Sequence, residues 1–289
     1  MPAQRVTDTA YGAGSDGAGA IGQPAAPGGI TARAAAAMEF ALTGGVLFVL
    51  VTAVRWVMAS PVSRALPAQH LQLAAVAAMV AAALAGALSS PWGRRAGGHL
   101  NPATTLALWL TGAFPGRRVL PYVVAQLAGS VVGTGLARLV WGPVVGGPMA
   151  YAAVQPAPAW PAAAVFAAEA GATAAILAVA LLLTSRPGWR RWTPLAMPAA
   201  TAAVIIGLGP LTGGSANPAR QFGPALWADR PGYWSLLWVY LAAPLAGAAF
   251  TALVTRCRAH LPGRSVRSGR ARSRGRRSET DRCADGRTC

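Results

Sequence analysis

The chain has 289 residues, 54% of them hydrophobic and only 11% charged, with a mean hydropathy of +0.43. That balance excludes an ordinary soluble domain and points to an all-α, polytopic membrane protein. The formal net charge of +17 comes from arginine alone, and eleven arginines follow Thr255 in a polar tail without interleaved aromatics, so no nucleic-acid partner is expected.

Residues 1–33 are rich in Gly, Ala and polar side chains, with no apolar run before Ala34, and are expected to form a disordered cytoplasmic head. The first apolar segment then acts as its own uncleaved insertion signal. Six segments have the length and character of membrane-spanning helices: Ala34–Met58, Ala68–Ser90, Val119–Trp141, Pro161–Ser185, Thr193–Leu211 and Tyr233–Thr255. Two shorter apolar pieces interrupt the series, Asn101–Leu110 after the second segment and Asn217–Trp227 after the fifth. At ~1.5 Å per residue neither crosses a hydrocarbon core ~30 Å thick, so both read as re-entrant half-helices.

Arginines orient these elements. Arg94, Arg95, Arg117, Arg118, Arg186, Arg190, Arg191 and the tail fall on one side, whereas the opposite connections hold Arg64 and, across residues 142–160, no charge at all. Six crossings with both termini in the cytoplasm satisfy this bias. Residues 256–289 are expected to be a disordered, arginine-rich cytoplasmic tail in contact with anionic lipid. Its three cysteines, Cys257, Cys283 and Cys289, would face a reducing compartment, so no structural disulfide is expected.

The body between, residues 34–255, repeats itself in halves at about 34–141 and 161–255. Glu39-Phe40-Ala41-Leu42-Thr43 matches Glu169-Ala170-Gly171-Ala172-Thr173, and Ala125-Gln126-Leu127-Ala128-Gly129 matches Ala243-Pro244-Leu245-Ala246-Gly247. Three crossings per half insert the second copy upside down, which is an inverted repeat. Gly129 and Gly133 have the spacing of a close helix crossing.

Asn101-Pro102-Ala103 and Asn217-Pro218-Ala219 start the two half-helices, each after a glycine-rich run. Asn is a favoured N-cap, and Pro is tolerated at the first helical position, where its missing N–H costs nothing. Two such starts at equivalent places of an inverted repeat bring two positive helix ends together near the membrane midplane. Each Asn caps its own helix, leaving its NH₂ to donate into a pore. Arg220, directly after the second triplet, is a charge at membrane depth and therefore functional by default.

Gly97 to Ala103 and Gly209 to Leu226, with the helix-leading Glu39 and Glu169, resemble the signature loops of the aquaporin and glycerol-facilitator family, the major intrinsic proteins; the resemblance covers about Met38 to Thr255. It implies six transmembrane helices and two half-helices, and homotetramers with one pore per subunit. It also implies a selectivity filter at Ala81, Ile205, Gly214 and Arg220. Ile205 stands where water-selective members have histidine, and the aromatic pair of glycerol facilitators is missing. The set is most similar to certain plant nodulin-26-like channels, associated with boric acid and similar uncharged hydroxides. Other markers are mixed: Gln221 stands where water channels usually have Ser and glycerol facilitators Asp, Ala225 and Tyr240 are water-channel-like, and Leu241 leans to the glycerol type. Intramembrane acids can relay protons. The resemblance implies instead that Glu39 and Glu169 accept hydrogen bonds from the loops leading to the half-helices, and that His99 is a loop residue with a pore-facing carbonyl.

The function expected is a passive channel for water and small uncharged solutes such as glycerol, urea or boric acid, closed to ions and protons. The alternative is a coupled secondary transporter, which would want a titratable group at the midplane, where this sequence offers amides. No nucleophile–base pair, cofactor motif or Cys/His metal spacing can be assembled, so no catalysis, cofactor or metal is expected. The arginine-only, Ala/Gly/Pro-rich composition points to a bacterial plasma membrane.

Overall fold

The structure, a computed structural model, describes residues 30–260. The expected head up to residue 29 and the tail beyond residue 260, with Cys283 and Cys289, lie outside the described residues. Ten α-helices and no strand occur among the described residues. They are α1 (Ala32–Met58), α2 (Val62–Ala65), α3 (Gln69–Ser89), α4 (Pro91–Ala96), α5 (Pro102–Leu110), α6 (Val119–Trp141), α7 (Ala162–Thr184), α8 (Thr193–Leu208), α9 (Pro218–Ala228) and α10 (Pro231–His260).

α1, α3, α6, α7 and α10 are long and apolar enough to cross a membrane. α8 has 16 residues, ~24 Å of helix, and is shorter than the segment Thr193–Leu211 read from the sequence. Gly209 is still helical (φ −51°, ψ −47°), and the helix stops at Pro210, which has no N–H to continue the ladder. α10 runs to His260, past the sequence boundary at residue 255. Cys257, near its end, is an exposed free thiol.

α4 was not legible as an element. Ser90 caps it through its hydroxyl (Gly93 N–H donating, 2.9 Å), Pro91 occupies the first turn, and Gly97 ends it at φ 101°. Six residues are too few to show an apolar period, so only the Ser-Pro start and Gly stop carried any signal.

The two halves pack alike. α1 lies against α6 and α7 against α10, and glycine makes both crossings close. A Cβ on Gly129 would collide with the Phe40 carbonyl, and one on Gly133 with the Gly44 carbonyl; in the other half, a Cβ on Gly247 would collide with the Ala170 carbonyl. Phe40 and Ala170 each follow the glutamate of their half, so the repeat seen in sequence is a repeat of helix contacts. Each short helix is then seated on the long helix of the opposite half: α5 on α10, where Ala107 packs against Ala248, and α9 on α6, where Ser130 Oγ accepts from Gly223 N–H at 3.0 Å and donates to the Ala219 carbonyl.

Trp56, Trp92, Trp109, Trp189, Trp192, Trp227, Trp234 and Trp238 are exposed on the outside. The guanidinium of Arg186 lies 4.5 Å from the Trp189 ring centre and that of Arg55 5.2 Å from Trp56. Such amphipathic pairs suit the boundary between lipid and water.

Because the crossings leave no room for a side chain, Gly133→Val and Gly247→Val are expected to destabilise the folded protein by about 1–3 kcal/mol. Gly45→Ala, with nothing within 4 Å of its Cβ, is expected to be neutral or slightly stabilising. Thermal unfolding of the three variants in detergent checks the contrast.

Candidate pore

Each half-helix is entered through a stretch of backbone that is neither helix nor strand. Gly97, Gly98 and Leu100 have φ of 101°, 59° and 52°; Gly213, Gly214 and Ala216 have 90°, 58° and 47°. Glycine accepts positive φ freely, but Leu100 and Ala216 are strained, and the same stretches leave backbone N–H groups unpaired. At membrane depth those groups must find protein partners.

Two fully buried carboxylates supply them. Glu39 accepts from the N–H groups of His99 and Leu100, both at 2.8 Å, and from Gln126 Nε2 at 2.9 Å. Glu169 accepts from the N–H groups of Ser215 (3.1 Å) and Ala216 (2.6 Å) and from the Thr212 hydroxyl (2.7 Å). Buried tyrosines close the loop from behind: Tyr122 donates to the Ala96 carbonyl and Tyr240 to the Thr212 carbonyl, each at 2.6 Å.

Asn101 and Asn217 sit at the N-caps of α5 and α9. Their Oδ1 atoms accept from Ala103 N–H (2.8 Å) and Ala219 N–H (2.9 Å), two residues on. The NH₂ groups differ from the sequence expectation. Asn101 Nδ2 donates to the Ala216 carbonyl and Asn217 Nδ2 to the Leu100 carbonyl, both at 3.0 Å. One hydrogen of each amide therefore ties the two halves together, and only the second is left for the pore.

A cavity of about 160 Å³ runs past both caps, from Thr184 and Thr193 at one end to Ile205 and Arg220 at the other. His99, Leu100, Asn101, Ser215, Ala216 and Asn217 line its middle, and Leu84, Leu88, Leu177 and Met197 give it apolar walls. Among the described residues Arg220 is the one charged residue that lines it; neither Glu39 nor Glu169 does. Arg220 Nη1 donates to the Ala152 carbonyl at 2.6 Å. His99 is buried, its Nδ1 3.0 Å from the Thr105 hydroxyl and its ring against Phe114 and Tyr122.

Ile205, Gly214 and Arg220 line this cavity, but Ala81 does not. Val80 takes its place, with Leu84 and Leu88 one and two turns on, and Ile205 packs against the cluster that contains Val80. Counting back from Asn101 assigns the wrong residue because the count passes through α4, whose course is not set by the periodicity of α3. One residue of error turns a helix by ~100°, enough to change which side chain faces inward.

The sequence reading also missed Ala152. Its carbonyl faces Arg220 because Ala150, Tyr151 and Ala152 have φ of 43°, 56° and 64°, a left-handed turn without glycine that no propensity signals. Residues 142–160, plain in the sequence for their lack of charge, thus reach the arginine that lines the cavity.

Replacing a carboxylate removes acceptors that nothing else can supply. Glu39→Gln and Glu169→Gln each turn an NH₂ towards a backbone donor and are expected to cost about 1–3 kcal/mol of stability, and the alanine variants more. Thermal unfolding in detergent, ranked alanine below glutamine below the native chain, checks this.

The family model described as major intrinsic protein matches residues 30–255. Over 166 residues the chain is 35% identical to "Probable aquaporin AqpM" of Archaeoglobus fulgidus, covering 55% of this chain and 66% of that protein. It is 38% identical over 159 residues to the propanediol uptake facilitator PduF of Citrobacter freundii, covering 47% of this chain and 58% of that one. The chain thus spans less than two thirds of the length of either relative. In fold it is similar to the X-ray structure of the aquaglyceroporin from Plasmodium falciparum, with a TM-score of 0.64 and 17% identity over 77% of this chain and 95% of the other.

Proposed function

The chain belongs to the major intrinsic protein family, and we propose that it is a passive channel for water and small uncharged solutes. The observation that carries this reading is the meeting of two Asn-capped half-helices beside one cavity whose only charged lining residue, among the described residues, is Arg220. The positive ends of α5 and α9 and the Arg220 guanidinium disfavour cations, including hydronium. The amide hydrogens left on Asn101 and Asn217 orient a passing oxygen. A coupled transporter would use a carboxylate in this path; Glu39 and Glu169 lie outside it with their oxygens occupied by loop donors, and His99, which does line it, has its Nδ1 engaged with the Thr105 hydroxyl.

Selectivity in this reading rests on Val80, Ile205, Gly214 and Arg220. Val80 and Ile205 offer an apolar wall, Gly214 leaves room, and Arg220 is the donor. A polyol fits such a wall, its CH face on the two aliphatic side chains and its hydroxyl on the guanidinium. The relatives include a propanediol uptake facilitator as well as aquaporins, which supports solutes beyond water. The channel sits in the plasma membrane of a bacterium as a homotetramer, with both termini and the Arg94, Arg117 and Arg190 side in the cytoplasm.

Stopped-flow light scattering on proteoliposomes tests the function. Water flux and appreciable flux of glycerol, urea or boric acid are expected; fast water flux with no solute flux overturns the wide filter. Uphill accumulation of any solute under a pH gradient would overturn the passive reading. Ile205→His, which adds a donor and polar bulk to the apolar wall, is expected to lower glycerol flux relative to water by about tenfold or more.

A further inference from the structure

Gln221 follows Arg220 in the first turn of α9, so their side chains leave the helix ~100° apart. Arg220 lines the cavity, whereas Gln221 is completely buried away from it. The Gln221 amide takes both backbone groups of one residue: Oε1 accepts from Val154 N–H and Nε2 donates to the Val154 carbonyl, each at 2.9 Å. Two residues earlier in the same segment, the Ala152 carbonyl receives Arg220 Nη1. Adjacent side chains of α9 therefore grip positions 152 and 154 of one stretch of chain.

That stretch needs gripping. Three consecutive non-glycine residues with positive φ are costly, and they persist only where the surroundings fix them. Val154 also sits over Gly213, where a Cβ would collide with it, and Ala157 N–H donates to the Leu211 carbonyl at 2.9 Å. The equivalent residue of the first half-helix, Thr105, bonds only within its own half, to Asn101, His99 and Gln126. The clamp exists only in the half that carries the arginine.

We propose that Gln221 is a positioning residue for Arg220: by holding Val154 at two points it fixes the Ala152 carbonyl, which in turn fixes the guanidinium at the pore wall. The neutral amide suits the task because it both donates and accepts. A carboxylate would leave the Val154 carbonyl unpaired and would compete with Ala152 for the arginine, and a shorter side chain would not reach both groups.

The proposal rests on the channel reading, and its test separates the two. Gln221→Met keeps the volume and removes both hydrogen bonds. In proteoliposomes it is expected to change the glycerol-to-water permeability ratio by about fivefold, and the change should vanish in an Arg220→Ala background because the effect passes through that arginine. An equal change with and without Arg220 would mean general loosening and would overturn the proposal. Hydrogen exchange of the segment 150–157 gives a readout independent of flux. Faster exchange in Gln221→Met than in the native chain supports the clamp, and unchanged exchange overturns it. A native chain that conducts nothing overturns the channel reading and the pore role of Arg220 with it, while exchange still decides whether Gln221 holds the segment. Should Gln221→Met not yield folded protein, Gln221→Asn, one methylene too short to span both Val154 groups, takes its place in both measurements.

Discussion

Irregular backbone can lie at membrane depth only if its polar groups are paired, and two buried carboxylates meet that demand here. Glu39 and Glu169 each take two consecutive loop N–H groups. Without them, the strained residues Leu100 and Ala216 could not turn the chain into a half-helix with their carbonyls free. Those two carbonyls are the acceptors for the Asn217 and Asn101 amides. The sequence of dependence runs from carboxylate to loop, from loop to carbonyl, and from carbonyl to the opposite cap. The two halves are thus joined through the residues that line the path, and the caps are held in place by groups that also need them.

The repeat fixes the frame and its departures carry the specialisation. Equivalent glycines close the α1–α6 and α7–α10 crossings, and equivalent tyrosines brace both loops. Elsewhere the halves diverge. Gln126 reaches Glu39 and Thr105, while its counterpart Pro244 has no such donor. Ser130 bonds the backbone of α9, while its counterpart Ala248 meets Ala107 through methyl contact alone. In α5 the residues after Ala103 are Thr104 and Thr105; in α9 they are Arg220 and Gln221, which reach out to the segment 152–154. In the second half-helix two neighbouring polar side chains thus reach the segment 152–154, Arg220 from the cavity wall and Gln221 from behind it.

Much of this was legible from the chain. Twin Asn-Pro-Ala triplets, a glutamate in each half and glycines at the crossing are local or periodic features, and their physical roles follow from residue type. α8 ended early for a reason already visible in Pro210. α4 lay hidden in six residues, and the error it introduced into a count moved the inward-facing position of α3 from Ala81 to Val80. The contribution of residues 150–154 could not be read, because positive φ at Ala150, Tyr151 and Ala152 is imposed by partners distant in sequence.

By itself, then, the sequence determined a membrane-embedded inverted repeat and the residues that cap, satisfy and charge its centre, since hydropathy, capping and arginine placement act through local chemistry. Only the tertiary structure decided which face of α3 meets the path and that the Asn amides bond across the halves. It also decided that a distant carbonyl holds Arg220. Those outcomes depend on helix rotation and on contacts between segments more than sixty residues apart, and neither is encoded in any local pattern.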